Sequence, residues 1–106
     1  MMSKGIEEAA PERIASRFEA LSNPIRVMIV QLLLERQASW NELKKRLEER
    51  GLGRINPNSL SFHLSRLIEA GFVEKLGSEA TPIYTLKVAA KDTVRKLLED
   101  SLRVGD

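Results

Sequence analysis

Apolar residues recur at helical spacing through the first two thirds of the chain, give way to two short β-rich runs, and return to helical spacing at the end. Pro11 suits the first turn of a helix whose Ile14, Phe18 and Leu21 fall at i, i+4 and i+7, so a first helix is predicted over 11–21. Ser22-Asn23-Pro24 is a stop and a restart, since either polar residue can cap a new helix and Pro24 fits its first turn. In that second helix, running to about Arg36, Ile25, Met28, Ile29, Leu32 and Leu33 form a stripe that Val27, Val30 and Leu34 widen most of the way round. A helix apolar on nearly every side belongs at the centre of the core.

Ser39-Trp40-Asn41-Glu42 matches a capping box, so a third helix follows, with Trp40, Leu43 and Leu47 facing inward and Gly51 at its end. Asn56-Pro57 repeats the cap-and-proline signal. The fourth helix, about 57–70, carries Leu60, Leu64, Leu67 and Ile68 on one face and stops at Gly71. At about 100° per residue its other face presents Asn58, Ser61, Phe62, Ser65, Arg66 and Glu69, with Ser59 and His63 toward the edges. A merely solvated face more often carries Glu and Lys for helix propensity. Residues 72–76 and 82–87 read as a β-hairpin around the turn 77–81. An amphipathic last helix, about 89–103, bears Val94, Leu97, Leu98 and Leu102.

With 106 residues, 42% hydrophobic and 30% charged, the chain fits one domain, 11–106, behind a flexible tail, 1–10. It lacks an apolar run long enough for a membrane span and a signal-peptide core, which predicts a soluble cytoplasmic protein with no membrane partner. Zero cysteines exclude disulfides, thiolate metal sites and cysteine nucleophiles. Glu outnumbers Asp while Asn and Gln are few, a weak thermophile signature.

Net charge is only +2, so overall charge does not by itself argue for nucleic acid. The distribution says more: residues 21–54 hold seven basic and four acidic side chains, and the other segments are close to balanced. No glycine-rich phosphate loop, nucleophile elbow or convergent acid-base set is present, so no enzyme and no cofactor is expected. His63 is the only histidine; a lone histidine beside an apolar stripe is read as a packing or hydrogen-bonding residue, and no metal site is built around it.

Two segments carry a specific resemblance. The first is Ala20-Leu21-Ser22-Asn23-Pro24-Ile25-Arg26 running into Ile29-Val30-Gln31-Leu32-Leu33. The second is Leu60-Ser61-Phe62-His63-Leu64-Ser65-Arg66-Leu67-Ile68-Glu69-Ala70-Gly71-Phe72-Val73. Over about residues 14–87 the chain resembles the ArsR-type winged helix-turn-helix transcription regulators. The resemblance implies a mainly α, α+β fold: a winged helix-turn-helix with a two-stranded β-hairpin wing and flanking N- and C-terminal dimerisation helices. Metal-sensing members carry cysteines in the third helix or acidic and histidine ligands in the last. This chain has neither, so metal sensing is not expected, and the wing tip Gly77-Ser78-Glu79-Ala80-Thr81 lacks the arginine often found there.

By this resemblance the fourth helix enters the major groove of double-stranded DNA, which assigns base contacts to Asn58, Ser59, Ser61, Phe62, Ser65 and Arg66. Backbone contacts are expected from Ser39, Lys44, Lys45, Arg54 and Lys75. Two readings of individual residues stay open. Phe62 packs on a base or sugar if exposed and joins the core if the hairpin folds over it. Arg66 bonds a guanine edge, holds a phosphate, or pairs with Glu69 or Glu74. On the third helix, Lys44 and Lys45 lie on one flank and Arg46 and Arg50 on the other, so only one pair can face DNA.

Ile14, Phe18, Leu21, Val94, Leu97, Leu98 and Leu102 are left over as a homodimer interface. The function expected is a homodimeric, sequence-specific DNA-binding regulator, a repressor, with any small-molecule effector unknown. The alternative is a winged-helix protein-interaction module of a transcription or signalling assembly that does not touch DNA.

Overall fold

The computed structural model describes residues 10–104, with side chains through Ser101. Of the tail expected over 1–10 only Ala10 falls within it, and the side chain of Leu102 lies outside the described residues. Helix α1 (Pro11–Ala20) starts behind Ala10 with Pro11 in its first turn. Helix α2 (Pro24–Glu35) is capped by Asn23, whose Oδ1 accepts from the amides of Ile25 at 2.8 Å and Arg26 at 3.2 Å. The choice left open between Ser22 and Asn23 thus falls to Asn23, while the Ser22 hydroxyl bonds back to the Glu19 carbonyl at 2.7 Å.

Helix α3 (Trp40–Leu47) begins with the predicted capping box: the Glu42 amide donates to Ser39 Oγ and the Ser39 amide to Glu42 Oε1. That bond to the Ser39 backbone amide holds the Glu42 carboxyl below its ordinary range. The chain leaves α3 through a wide helical turn, 48–52, in which Gly51 takes φ 95°. Helix α4 (Pro57–Glu69) is capped by Asn56 and ends at Gly71, φ 87°. The Gly71 amide reaches the Ile68 carbonyl and the Phe72 amide reaches that of Leu67, which satisfies the last carbonyls of the helix and turns the chain into the sheet.

The wing is β2 (Val73–Gly77) paired antiparallel with β3 (Pro82–Leu86), Lys75 opposite Tyr84. The wing is the expected two-stranded hairpin, and the sheet gains a third strand that the sequence did not announce, because Ala38–Ser39 forms β1, in register with Tyr84 and Ile83 on the far side of β3. Two residues are too few to show an alternating pattern, and their pairing covers an edge that a lone hairpin would leave open. Helix α5 (Val88–Val104) closes the described chain.

The core gathers on α2, as its all-round apolar pattern demands: Ile29, Val30, Leu32 and Leu33 meet Leu43 and Leu47 of α3, Leu60, Leu64 and Leu67 of α4, Val73 and Leu86 of the sheet, and Ala90 and Val94 of α5. Among the described residues no helix is long and apolar enough to cross a membrane. The consequence for function is positional. The inner face of α4 is sealed into this core, so its outer face is held rigidly toward solvent.

Candidate nucleic-acid interface

Along that outer face Asn58, Ser59, Ser61, Phe62 and Ser65 are all exposed, Phe62 at 56%. This decides between the two readings of Phe62: the hairpin does not fold over it, and its ring is presented beside the small hydroxyl residues. Asn56 Oδ1 takes the amides of Asn58 and Ser59 at 2.8 and 3.2 Å. The first turn of α4 is thereby fixed without using the Asn58 and Ser59 side chains.

The expected cations fall into three groups. Lys44 and Arg54 line a shallow cleft of about 480 Å³ together with Ile55, Asn56 and Pro57, at the N-terminus of α4, where the helix dipole also favours an anion. Lys44 is tied to Glu48 at 2.8 Å, and Glu48 also accepts the Ile55 amide at 3.0 Å. Those two bonds, the amide foremost, hold the Glu48 carboxyl below its ordinary range. Lys45 is exposed on α3, and Lys75 is exposed on the edge strand of the wing. Ser39 is half-buried and its hydroxyl is already engaged as a helix cap.

The opposite flank of α3 is structural. Arg46 donates to the Leu32 carbonyl at 3.1 Å and to Glu35 at 3.2 Å, and Arg50 holds the other oxygen of Glu35 at 3.2 Å. These guanidinium groups close the C-terminus of α2, whereas on the other flank Lys44 is half-buried against Glu48 and Lys45 is exposed.

Arg66 reaches neither Glu69 alone nor Glu74. Its Nη2 donates to Glu19 of α1 at 2.5 Å and its Nη1 to Glu69 at 3.5 Å. The other oxygen of Glu19 accepts from Nη1 of Arg26 at 3.3 Å. Arg26 is 5% exposed, the only buried charged side chain among the described residues. Its Nε donates to His63 Nδ1 at 3.0 Å and its guanidinium lies 5.7 Å from the centre of the Phe62 ring.

One network therefore joins α1, α2 and α4 beneath the exposed face. The Arg66 and Arg26 bonds hold the Glu19 carboxyl below its ordinary value, the Arg66 bond foremost. Burial, followed by the Arg26 charge, lowers His63. Nδ1 is thus an acceptor and the ring is neutral, the hydrogen-bonding role expected of it. Sequence reading passed over Arg26 and Glu19. The available signal was a single guanidinium inside an otherwise apolar helix, which must find a partner when that helix is buried.

The apolar residues expected at a subunit interface are not equivalent. Phe18 is 74% exposed, Leu97 46% and Ile14 nearly as much. Leu21 and Leu98 are half-buried and pack on the core. Val94 is 2% exposed and belongs to the core of this chain, so it offers no surface to a partner. Between α1 and α5 runs an apolar groove of about 610 Å³ whose walls include Ile14, Phe18, Leu21, Leu97 and Leu98, with Phe72 and Val94 at its floor. Among the described residues no group of His, Asp and Glu side chains is arranged to hold a metal ion.

This arrangement, three core helices with the third presented outward and a β-wing beside it, is a winged helix-turn-helix. Residues 21–75 match the helix-turn-helix domain family, and the chain belongs to that family, whose members bind DNA and are not enzymes. HlyU from Vibrio cholerae is 29% identical, with a TM-score of 0.67 over 81% of this chain and 88% of its own. RosR from H. salinarum is 28% identical, with a TM-score of 0.71 over 76% of this chain and 74% of its own. The same fold, at 19% identity and a TM-score of 0.72 over 99% of this chain and 88% of the other, is that of a homodimeric winged helix-turn-helix DNA-binding domain from Mycobacterium bovis, a possible ArsR-family transcriptional regulator. No curated protein matches the chain in sequence.

Proposed function

We propose that the chain is an ArsR-type, homodimeric regulator that binds double-stranded DNA sequence-specifically and represses by occupying its operator. The observation that carries this is the outer face of α4: Asn58, Ser59, Ser61, Phe62 and Ser65 are exposed together on a helix whose other side is locked into the core. Hydroxyls and an amide of this kind exchange hydrogen bonds with base edges, an exposed ring packs on a thymine methyl, and Arg66 bonds a guanine. Lys44, Lys45, Arg54 and Lys75 surround this face and would hold phosphates. Pairing of the α1 and α5 faces would place two such helices on successive half-sites of a palindromic operator.

The test is selection of bound sequences from a random duplex pool, followed by gel shifts of the selected and a random duplex at two salt concentrations. A palindromic consensus bound far more tightly than random DNA is expected, with Lys75→Ala weakening both duplexes and reducing the salt slope by about one charge. No enrichment, and no shift of either duplex, would replace this reading with that of a protein-interaction module.

A further inference from the structure

Glu19 lies on α1, outside the reading helix, yet it holds the one arginine of α4. Its two oxygens are divided between a buried guanidinium, Arg26, and a half-exposed one, Arg66. Arg26 is anchored independently, through His63 and through the Glu19 carbonyl at 3.5 Å, so the carboxylate is delivered to Arg66 from a fixed base. Glu69 approaches Arg66 from the other side. The arginine best placed to meet DNA is thus bracketed by two negative charges.

We propose that Glu19 is a specificity-determining residue: it makes Arg66 blind to phosphate while leaving it able to bond a guanine. The two kinds of DNA acceptor differ in charge. A phosphate is an anion, and it must approach Arg66 against the repulsion of Glu19 and Glu69. The O6 and N7 atoms of guanine are neutral acceptors, and the five N–H donors of an arginine can serve them while one donor stays on a carboxylate. Sequence-independent binding, which is almost wholly phosphate contact, is therefore penalised by Glu19 more than base reading is. This inference rests on the DNA-binding reading of α4 given above.

Glu19→Gln keeps the size of the side chain and removes its charge. Affinity for random duplex is expected to rise about twofold to fivefold, the range of an exposed ion pair, and its salt slope to steepen by about one charge. Affinity for the selected site should rise less, so discrimination narrows. Asp92→Asn makes the same change of net charge on α5, where Asp92 pairs with Arg95, and should leave discrimination unchanged. In the Arg66→Ala background, Glu19→Gln should add nothing. Glu19→Ala, which suits a helix as well, should act in the same direction as Glu19→Gln. Equal discrimination in wild type and Glu19→Gln, or a gain that survives Arg66→Ala, overturns the proposal while DNA binding itself stands. Failure of every variant and of the wild type to shift any duplex would remove the DNA-binding reading, and this one with it.

Discussion

Arg26 and His63 show how one buried hydrogen bond positions several others. A guanidinium in the core is costly unless its donors are met, and here Nε is met by an imidazole that must stay neutral to accept. Protonation of His63 would put two cations within bonding distance of each other. Burial foremost, and then the Arg26 charge, hold its pKa in the folded chain below the ordinary value near 6.5. The unfolded chain then binds the proton first as pH falls, so stability declines as pH drops below about 6.5 and levels off once the folded imidazole also titrates. Glu19, Glu42 and Glu48, whose carboxyls are held low, add a separate loss that starts below about 4.5. Melting temperatures between pH 8 and pH 5 should show the first decline in wild type and lose it in His63→Gln. An unchanged decline in that variant would assign it to another group.

The elements are held by local chemistry that can be tested one piece at a time. In the wing, Gly77 has φ 85°, and a Cβ added there would meet the Thr81 carbonyl oxygen at 2.8 Å. The turn is closed by Ser78 and Thr81, whose hydroxyls lie 3.0 Å apart and whose backbones bond at 3.2 Å. Gly77→Ala thus meets both a disfavoured backbone conformation and a clash with backbone that cannot rotate away. A loss of about 1–3 kcal/mol is expected in chemical denaturation. Ser78→Ala, which removes only hydroxyl bonds at an exposed site, should cost less. Equal costs would mean that the turn relaxes around the new methyl.

At the scale of the molecule, the chain is flatter and more extended than its length requires. Its radius of gyration is 15.0 Å with extents of 49 × 42 × 21 Å, against about 13 Å for a compact domain of this size. The terminal helices account for the excess. Only Ala20 of α1 is buried, and α5, about 25 Å long at 1.5 Å per residue, meets the core through Ala90, Val94 and Leu98. The groove between them is apolar, and a second copy inserting the same two helices would fill it by a two-fold arrangement. Light scattering at micromolar concentration should therefore give a dimer mass, and Leu97→Glu, at an exposed position that leaves the core intact, should give a monomer that still melts cooperatively. A wild-type monomer at high concentration would remove the dimer.

Much of this was written in local sequence. Pro11, Asn23-Pro24, the Ser39–Glu42 box, Asn56-Pro57 and Gly71 each act within four residues, so the caps and the limits of α1, α2 and α4 could be read within a residue or two, whereas α3 gives way at Leu47, short of the Gly51 expected at its end, to the wide turn 48–52. Helical periodicity likewise separated the buried Leu60, Leu64 and Leu67 from the exposed Asn58, Ser61, Phe62 and Ser65, because burial on one face of a helix follows from spacing alone. Three features depended on groups far apart in the chain. Strand β1 exists only because β3 offers it an edge. Val94 shares the apolar stripe of Leu97, and only the packing of α5 on the core buries the first and leaves the second exposed. Arg66 carries no local mark of its partner, since Glu19 stands 47 residues away and reaches it by the packing of α1 beside α4. Periodicity and capping are set by neighbours along the chain, whereas the pairing of charges is set by which helices the core brings together.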